Sequence, residues 1–186
     1  KMRGEIAFAV KSGFPAFLSV PVFDNRSLSP YNESILLRGW FRMLLTTLRL
    51  HDFRSYRQVL LAPPKGVTVL WGVNGAGKTN LLEAVHLCCL GRSHRTSQDG
   101  DMIREGCETS AVQVTVERGD GRHEVGVRLY NNQQRKKLLY INGKTASKMG
   151  ELIGHATCVI FSPEDLMLVK DGPAARRRIL DMLLSQ

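Results

Sequence analysis

The chain has 186 residues, 43% of them hydrophobic, and 26 Lys and Arg against 17 Asp and Glu give it a formal charge of +9. That length and apolar content suffice for one domain with its own core and exclude a disordered tail. The basic excess favours a polyanionic partner, and no run of about 18 apolar residues offers a membrane span.

In chain order, Lys1 and Arg3 precede Ile6-Ala7-Phe8-Ala9-Val10, a faint imitation of a secretory signal that Lys11 interrupts. Pro15 and Pro21 disfavour a continuous helix through the apolar stretch Phe14 to Phe23. Neither export nor membrane insertion is expected, and residues 1–42 read as a poorly ordered upstream extension. They hold six basic and three acidic side chains, so a charge of +6 remains on residues 43–186.

Leu48 and Leu50 then alternate with Arg49 and His51, and Val59 and Leu61 alternate with their neighbours before Pro63-Pro64, the pattern of two half-buried strands. Gly66-Val67-Thr68-Val69-Leu70-Trp71 has the β-branched, uninterrupted character of a buried strand, and Thr79 to Leu90 the length and composition of a helix. Between them lie Gly72, Val73, Asn74, Gly75, Ala76, Gly77, Lys78 and Thr79, which satisfy the G-x-x-x-x-G-K-[ST] phosphate loop. Glycines at these positions tolerate the backbone angles that let successive N–H groups curl about phosphates, and the helix N-terminus adds unpaired donors and its positive dipole end. Lys78 is placed to reach the β- and γ-phosphates and the Thr79 hydroxyl to ligate Mg²⁺, so the expected cofactors are ATP and Mg²⁺. A chance glycine-rich turn is the bland alternative, which the flanking strand and helix disfavour.

Cys88 and Cys89 fall in the helix, where small apolar side chains fill core space. With Cys107 and Cys158 they show no C-x-x-C spacing, so neither a zinc site nor a disulfide framework is indicated and a reduced cytoplasm fits. Past the polar stretch from Arg92 to Gly106, Val112, Val114 and Val116 alternate with polar residues, Val125, Val127 and Leu129 repeat the pattern, and Lys137 to Ile141 ends in the hairpin signal Asn142-Gly143. These predict an antiparallel meander. Thr145 to Ile153 reads as a short helix with Met149, Leu152 and Ile153 on one side, and Cys158 to Phe161 as a short buried strand. Ser162 is a good N-cap with Pro163 at the first helical position, and a last helix from Pro173 presents Ile179, Leu180, Leu183 and Leu184, with Arg176, Arg177 and Arg178 near its start.

Several stretches carry a further resemblance: Leu50 to Tyr56, Asn80-Leu81-Leu82-Glu83-Ala84 directly after Lys78-Thr79, Gly91 to Thr96, Phe161 to Leu166, and Arg176 to Asp181. Together they resemble the RecF family of bacterial recombination-repair ATPases, relatives of the SMC proteins, over Met43 to Gln186. Met43 looks like the family's own start. The resemblance implies an α/β P-loop lobe of the SMC and ABC-ATPase-head type with an antiparallel β meander. It implies ATP-dependent binding to single-stranded, gapped or junction DNA, a nucleotide-dependent homodimer of the full-length protein, partners of the RecO and RecR type, and roles in recombinase loading, replication and the SOS response. Asn80 joins the nucleotide contacts by the same likeness. Arg54 matches a family segment that runs beside the nucleotide, so it is a phosphate or adenine contact or else a solvated strand-end arginine.

Arg92 and Arg95, with His94 between them, and Arg135, Lys136 and Lys137 are candidate DNA contacts, with solvated charge as the alternative. The sequence contains no strand ending in Asp-Glu or Asp-Asp to hold Mg²⁺ and activate water, and no Ser-Gly-Gly signature loop. By resemblance both belong past Gln186, and no catalytic residue is assigned. Two other readings stand beside this one: a P-loop phosphotransferase such as a small-molecule kinase, and an inactive truncated fragment.

Overall fold

The computed structural model describes residues 43–132 and 137–160, together with Glu5, Ile6, Val20, Pro21 and Arg177. Of the upstream extension, only an antiparallel pairing of Glu5–Ile6 with Val20–Pro21 is described. The strand end at Phe161, the helices expected from Ser162 and Pro173, Arg135 and Lys136 lie outside the described residues, apart from Arg177 in helical conformation.

Six strands form one antiparallel sheet: β1 (Leu44–Phe53), β2 (Tyr56–Leu61), β3 (Thr109–Arg118), β4 (Gly121–Tyr130), β5 (Lys137–Ile141) and β6 (Lys144–Ala146), in the order β2-β1-β3-β4-β5-β6. The alternation read from the sequence sets which face is buried. Leu48, Leu50, Val59, Leu61, Val112, Val114, Val116, Val125, Val127 and Leu129 all point into the core, whereas Arg49, His51 and Leu60 stand in solvent. Register follows: Leu48 lies between Leu61 on β2 and Val114 on β3. The expected hairpin forms at Asn142-Gly143, where φ values of +50° and +77° give both residues the left-handed backbone of a tight two-residue turn.

One helix, α1 (Lys78–Leu90), lies across β1, β3 and β4 and starts one residue before its expected boundary. It contributes Leu81, Ala84, Leu87, Cys88, Cys89 and Leu90 to the same apolar cluster, so Cys88 and Cys89 are core residues as expected. Burial pushes the Cys88 thiol well above its ordinary range, which leaves it inert.

Three expectations are corrected. Residues 66–71 do not form a buried strand: only Thr68 takes a bridge position, and Val67, Val69 and Trp71 are exposed. A strand exists by pairing, and beyond that bridge no described strand lies beside this segment. Thr145 to Ile153 is not a helix. Lys144–Ala146 instead closes the Asn142-Gly143 hairpin as β6, and a 3₁₀ turn over Met149–Leu152 buries Leu152 while Met149 and Ile153 stay exposed. Cys158 to Ile160 has no strand pairing and Val159 is 75% exposed, because the six-stranded sheet ends at β6 without recruiting it.

Phe53 is fully buried at the end of β1, where it also bridges to Ile103. Phe53→Ala is expected to destabilise the chain by about 3–5 kcal/mol in urea denaturation, whereas Leu60→Ala on the wet face of β2 shifts stability by no more than about 0.5 kcal/mol.

Candidate nucleotide-binding site

Residues 72–77 turn tightly into the start of α1. Gly72, Gly75 and Gly77 have φ of +152°, +84° and +93°, and Lys78 opens the helix. The loop is closed by the Lys78 ammonium, which donates to the carbonyl oxygens of Gly72 at 2.8 Å and Val73 at 2.9 Å. No side chain caps the helix, so its first N–H groups keep their donor capacity beside the loop. Val73, Asn74, Gly75 and Thr79 are exposed around that end, and a Cβ on Gly75 would meet nothing within 4 Å. The loop is open on its outer side.

Its inner side is braced by the β1–β2 turn. The Tyr56 hydroxyl donates to the Ala76 carbonyl at 3.3 Å, and burial raises the Tyr56 pKa, which keeps that hydroxyl protonated as a donor. A Cβ on Gly77 would come within 2.7 Å of the Tyr56 Oη and 3.0 Å of the Ser55 Oγ, so glycine is required there by both contact and backbone angle. Asn80, one residue past Thr79, donates from Nδ2 to the Ser55 Oγ at 3.1 Å.

One turn further along α1, Glu83 is fully buried and accepts four hydrogen bonds. Its Oε1 takes Arg54 Nη2 at 2.7 Å and Ser93 Oγ at 2.6 Å; its Oε2 takes Arg54 Nε and Arg95 Nη1, both at 3.0 Å. Burial alone would raise the carboxyl pKa. The hydrogen bonds from Arg54 and Ser93 and the charges of Arg54 and Arg95 outweigh it and hold the group below the ordinary carboxylate value. With all four lone-pair positions filled, Glu83 is a structural anion and has no capacity left to act as a base. Arg54 is left-handed at φ +53°, a costly angle for a side chain of this size. It is held there by its own N–H on the Met102 carbonyl, its Nη1 on the Asp101 carbonyl and the paired contact with Glu83.

The sequence-derived site residues therefore fall into distinct places. Gly72 to Asn80 form one loop and helix start, while Arg54 lies behind them on Glu83. Arg95 reaches back to Asn80 Oδ1 at 2.9 Å as well as to Glu83, and Arg92 is exposed at the surface of the same loop. Lys137 is turned inward, onto Asp99 at 2.9 Å and the Gly91 carbonyl at 2.7 Å. Sequence reasoning missed the roles of Glu83, Ser55 and Tyr56. His86 escaped it too: it is buried, its Nδ1 lies 2.9 Å from the Arg92 carbonyl, and burial lowers its pKa, so it is a neutral imidazole donating to that oxygen.

A family model described as an AAA domain matches residues 47–165. The chain belongs to the AAA domain family. Within it the likeness is to the N-terminal part of RecF. The chain is 46% identical over 144 residues to the DNA replication and repair protein RecF of Symbiobacterium thermophilum, and 41% identical over 145 residues to that of Ruminiclostridium cellulolyticum. Each match covers 77% of this chain and 38% of the relative, so the chain spans well under half the length of these curated proteins. A solved structure of the recombination mediator protein RecF with ATP superimposes with a TM-score of 0.71 at 33% identity, over 78% of this chain and 40% of that one. An SMC ATPase structure at 22% identity and a TM-score of 0.61, covering 74% of this chain and 97% of that one, shares the fold. The AAA fold here is thus that of RecF and SMC ATPase heads, with the six-stranded antiparallel sheet beside the phosphate loop. Among the described residues no helix is long and apolar enough to cross a membrane.

Glu83→Gln removes the charge that two arginines share, and breaking a buried pair in this way is expected to cost about 3–5 kcal/mol in denaturant titration. Because the folded-state pKa of Glu83 is depressed, its contribution is fully present above the unfolded-state value of about 4.3 and is lost as pH falls through the lower folded-state value. The stability difference between the wild-type chain and Glu83→Gln should therefore shrink on acidification below about pH 4.3.

Proposed function

We propose that this chain provides the ATP-binding lobe of a RecF-like protein of DNA replication and repair. The observation that carries the reading is the phosphate loop at the start of α1, with the Lys78 ammonium across its mouth and an uncapped helix end behind it. Lys78, which now bonds the two loop carbonyls, and the backbone N–H groups at the loop and helix start would hold a triphosphate. The exposed Thr79 hydroxyl is the residue that would hold Mg²⁺, which supplies charge neutralisation at the β- and γ-phosphates. Asn80 links the nucleotide end of the helix to Ser55 and Arg95, and Arg54 acts from behind through Glu83.

The replication-and-repair role named for the RecF relatives supports a DNA-directed reading of the whole protein. We further propose that it binds single-stranded, gapped or junction DNA with ATP-dependent pairing of two heads and mediators of the RecO and RecR type, in recombinase loading and the SOS response in the cytoplasm. The kinase alternative loses ground to the antiparallel sheet, since nucleoside kinases alternate strands and helices throughout.

Lys78→Ala should abolish ATP binding measured by calorimetry while leaving the circular dichroism spectrum unchanged. Unchanged affinity would remove Lys78 from the phosphate site. Phosphate release by the 186-residue chain should not exceed that of Lys78→Ala, because its sequence holds no Asp-Glu-ended strand or signature loop to position water and clamp the γ-phosphate.

For DNA, Arg92, Arg135 and Lys136 are the proposed phosphate contacts, with Arg95 set aside because it is bonded to Glu83 and Asn80, and Lys137 because it is bonded to Asp99 and Gly91. Replacing Arg92, Arg135 and Lys136 by alanine in the full-length protein should weaken binding equally across sequences and lower the salt slope by about one unit per contact removed. Retention of both affinity and slope would mark these side chains as solvated charge.

A further inference from the structure

Away from the phosphate loop, the β3–β4 hairpin meets the segment that follows the 3₁₀ turn over Met149–Leu152 through two imidazoles. His123 Nδ1 lies 3.2 Å from His155 Nδ1, with ring centroids 5.4 Å apart and planes inclined by 50°. The other nitrogen of His123, Nε2, lies 3.1 Å from Asp120 Oδ1. A carboxylate oxygen accepts, so Nε2 is the His123 nitrogen that donates to Asp120. Nδ1 is then the His123 nitrogen turned towards His155.

The geometry points to His123 and His155 as a two-imidazole site for a transition-metal dication of the zinc, nickel or copper kind. Metal–imidazole bonds of about 2.0–2.1 Å to two nitrogens 3.2 Å apart subtend about 100–106°, close to the tetrahedral angle. Asp120 supplies the outer carboxylate that fixes tautomer and ring orientation in carboxylate–histidine–metal arrangements. Arg118 shares Asp120 through Nε at 3.3 Å and also donates to the Gly154 carbonyl, so the cluster has no surplus negative charge. Affinity rests on imidazole nitrogen, which selects zinc, nickel and copper over Mg²⁺ and separates this site from the one at Thr79. Water completes the coordination shell. The bound ion would tie the hairpin to residues 154 and 155, reinforcing the tie that Arg118 already makes.

The probe is Co²⁺ added to the chelator-treated, full 186-residue chain, followed by visible absorption, with Zn²⁺ titration followed by imidazole ¹⁵N resonances. One Co²⁺ per chain, a tetrahedral d–d band without thiolate charge transfer, and Zn²⁺ shifts at the Nδ1 of two of the five histidines are expected. His123→Gln and His155→Gln should each remove the band, and Asp120→Asn should weaken binding by about tenfold or more. His51→Gln, at an exposed position on β1, should leave it intact. No binding by the wild-type chain, a thiolate band, or a band that survives both histidine replacements would overturn the assignment and leave the pair as a hydrogen bond between two imidazoles.

Discussion

The site depends on a buried carboxylate. Glu83 stands on the core side of α1 with no exposed surface, and transferring such an anion from water costs several kcal/mol unless it is fully partnered. Arg54, Ser93 and Arg95 meet that requirement with four hydrogen bonds. They come from two places in the chain, the β1–β2 turn and the loop after α1, and meet on the helix that carries Glu83. Satisfying one charge therefore fixes three segments relative to one another. Arg54 can keep its left-handed backbone only because this network and the Met102 and Asp101 carbonyls hold it from several sides. The turn so fixed carries Ser55 and Tyr56, and these press against Gly77 and Ala76 and set the inner wall of the phosphate loop. Preorganisation of the loop thus begins one helical turn behind it.

The same network places the basic loop. Arg95 divides its guanidinium between Glu83 and Asn80, and Asn80 also holds Ser55, so the residue next to the Mg²⁺ candidate Thr79 touches both flanks of the site. Lys137, from the far side of the sheet, grips the start of this loop at Gly91 and its later part at Asp99. A segment rich in polar residues is in this way held to the body of the protein by charge-assisted bonds, with little apolar burial of its own. Arg92 is left exposed near its start.

Much of the sheet was legible in the sequence because its signal is local. Side chains alternate with period two, so Leu48 and Leu50, Val112 to Val116 and Val125 to Leu129 declare a half-buried strand wherever they occur, and Asn142-Gly143 declares its turn. Where the local signal was ambiguous the reading failed. The apolar run at residues 66–71 and that at Cys158 to Ile160 both resemble buried strands, but neither has the pairing that would make it one among the described residues. Thr145 to Ile153 has helix-like spacing, yet the hairpin turn before it commits Lys144–Ala146 to β5 first.

By itself the sequence determined the phosphate loop, since eight consecutive residues carry all of its chemistry, together with the helix behind it and the faces of the meander strands. Only the tertiary structure decided which charges are spent inside. Arg54 reads as a nucleotide contact or a solvated arginine and Arg95 and Lys137 as DNA contacts or solvated charge, and nothing in their spacing announces that Glu83, Asp99 and a helix-end carbonyl would claim them. Nor does spacing announce that His123 and His155, 32 positions apart, would face each other. An ion pair between distant residues has no period and no local propensity. It exists when the sheet register brings its members within about 3 Å, and that register is a property of the whole fold.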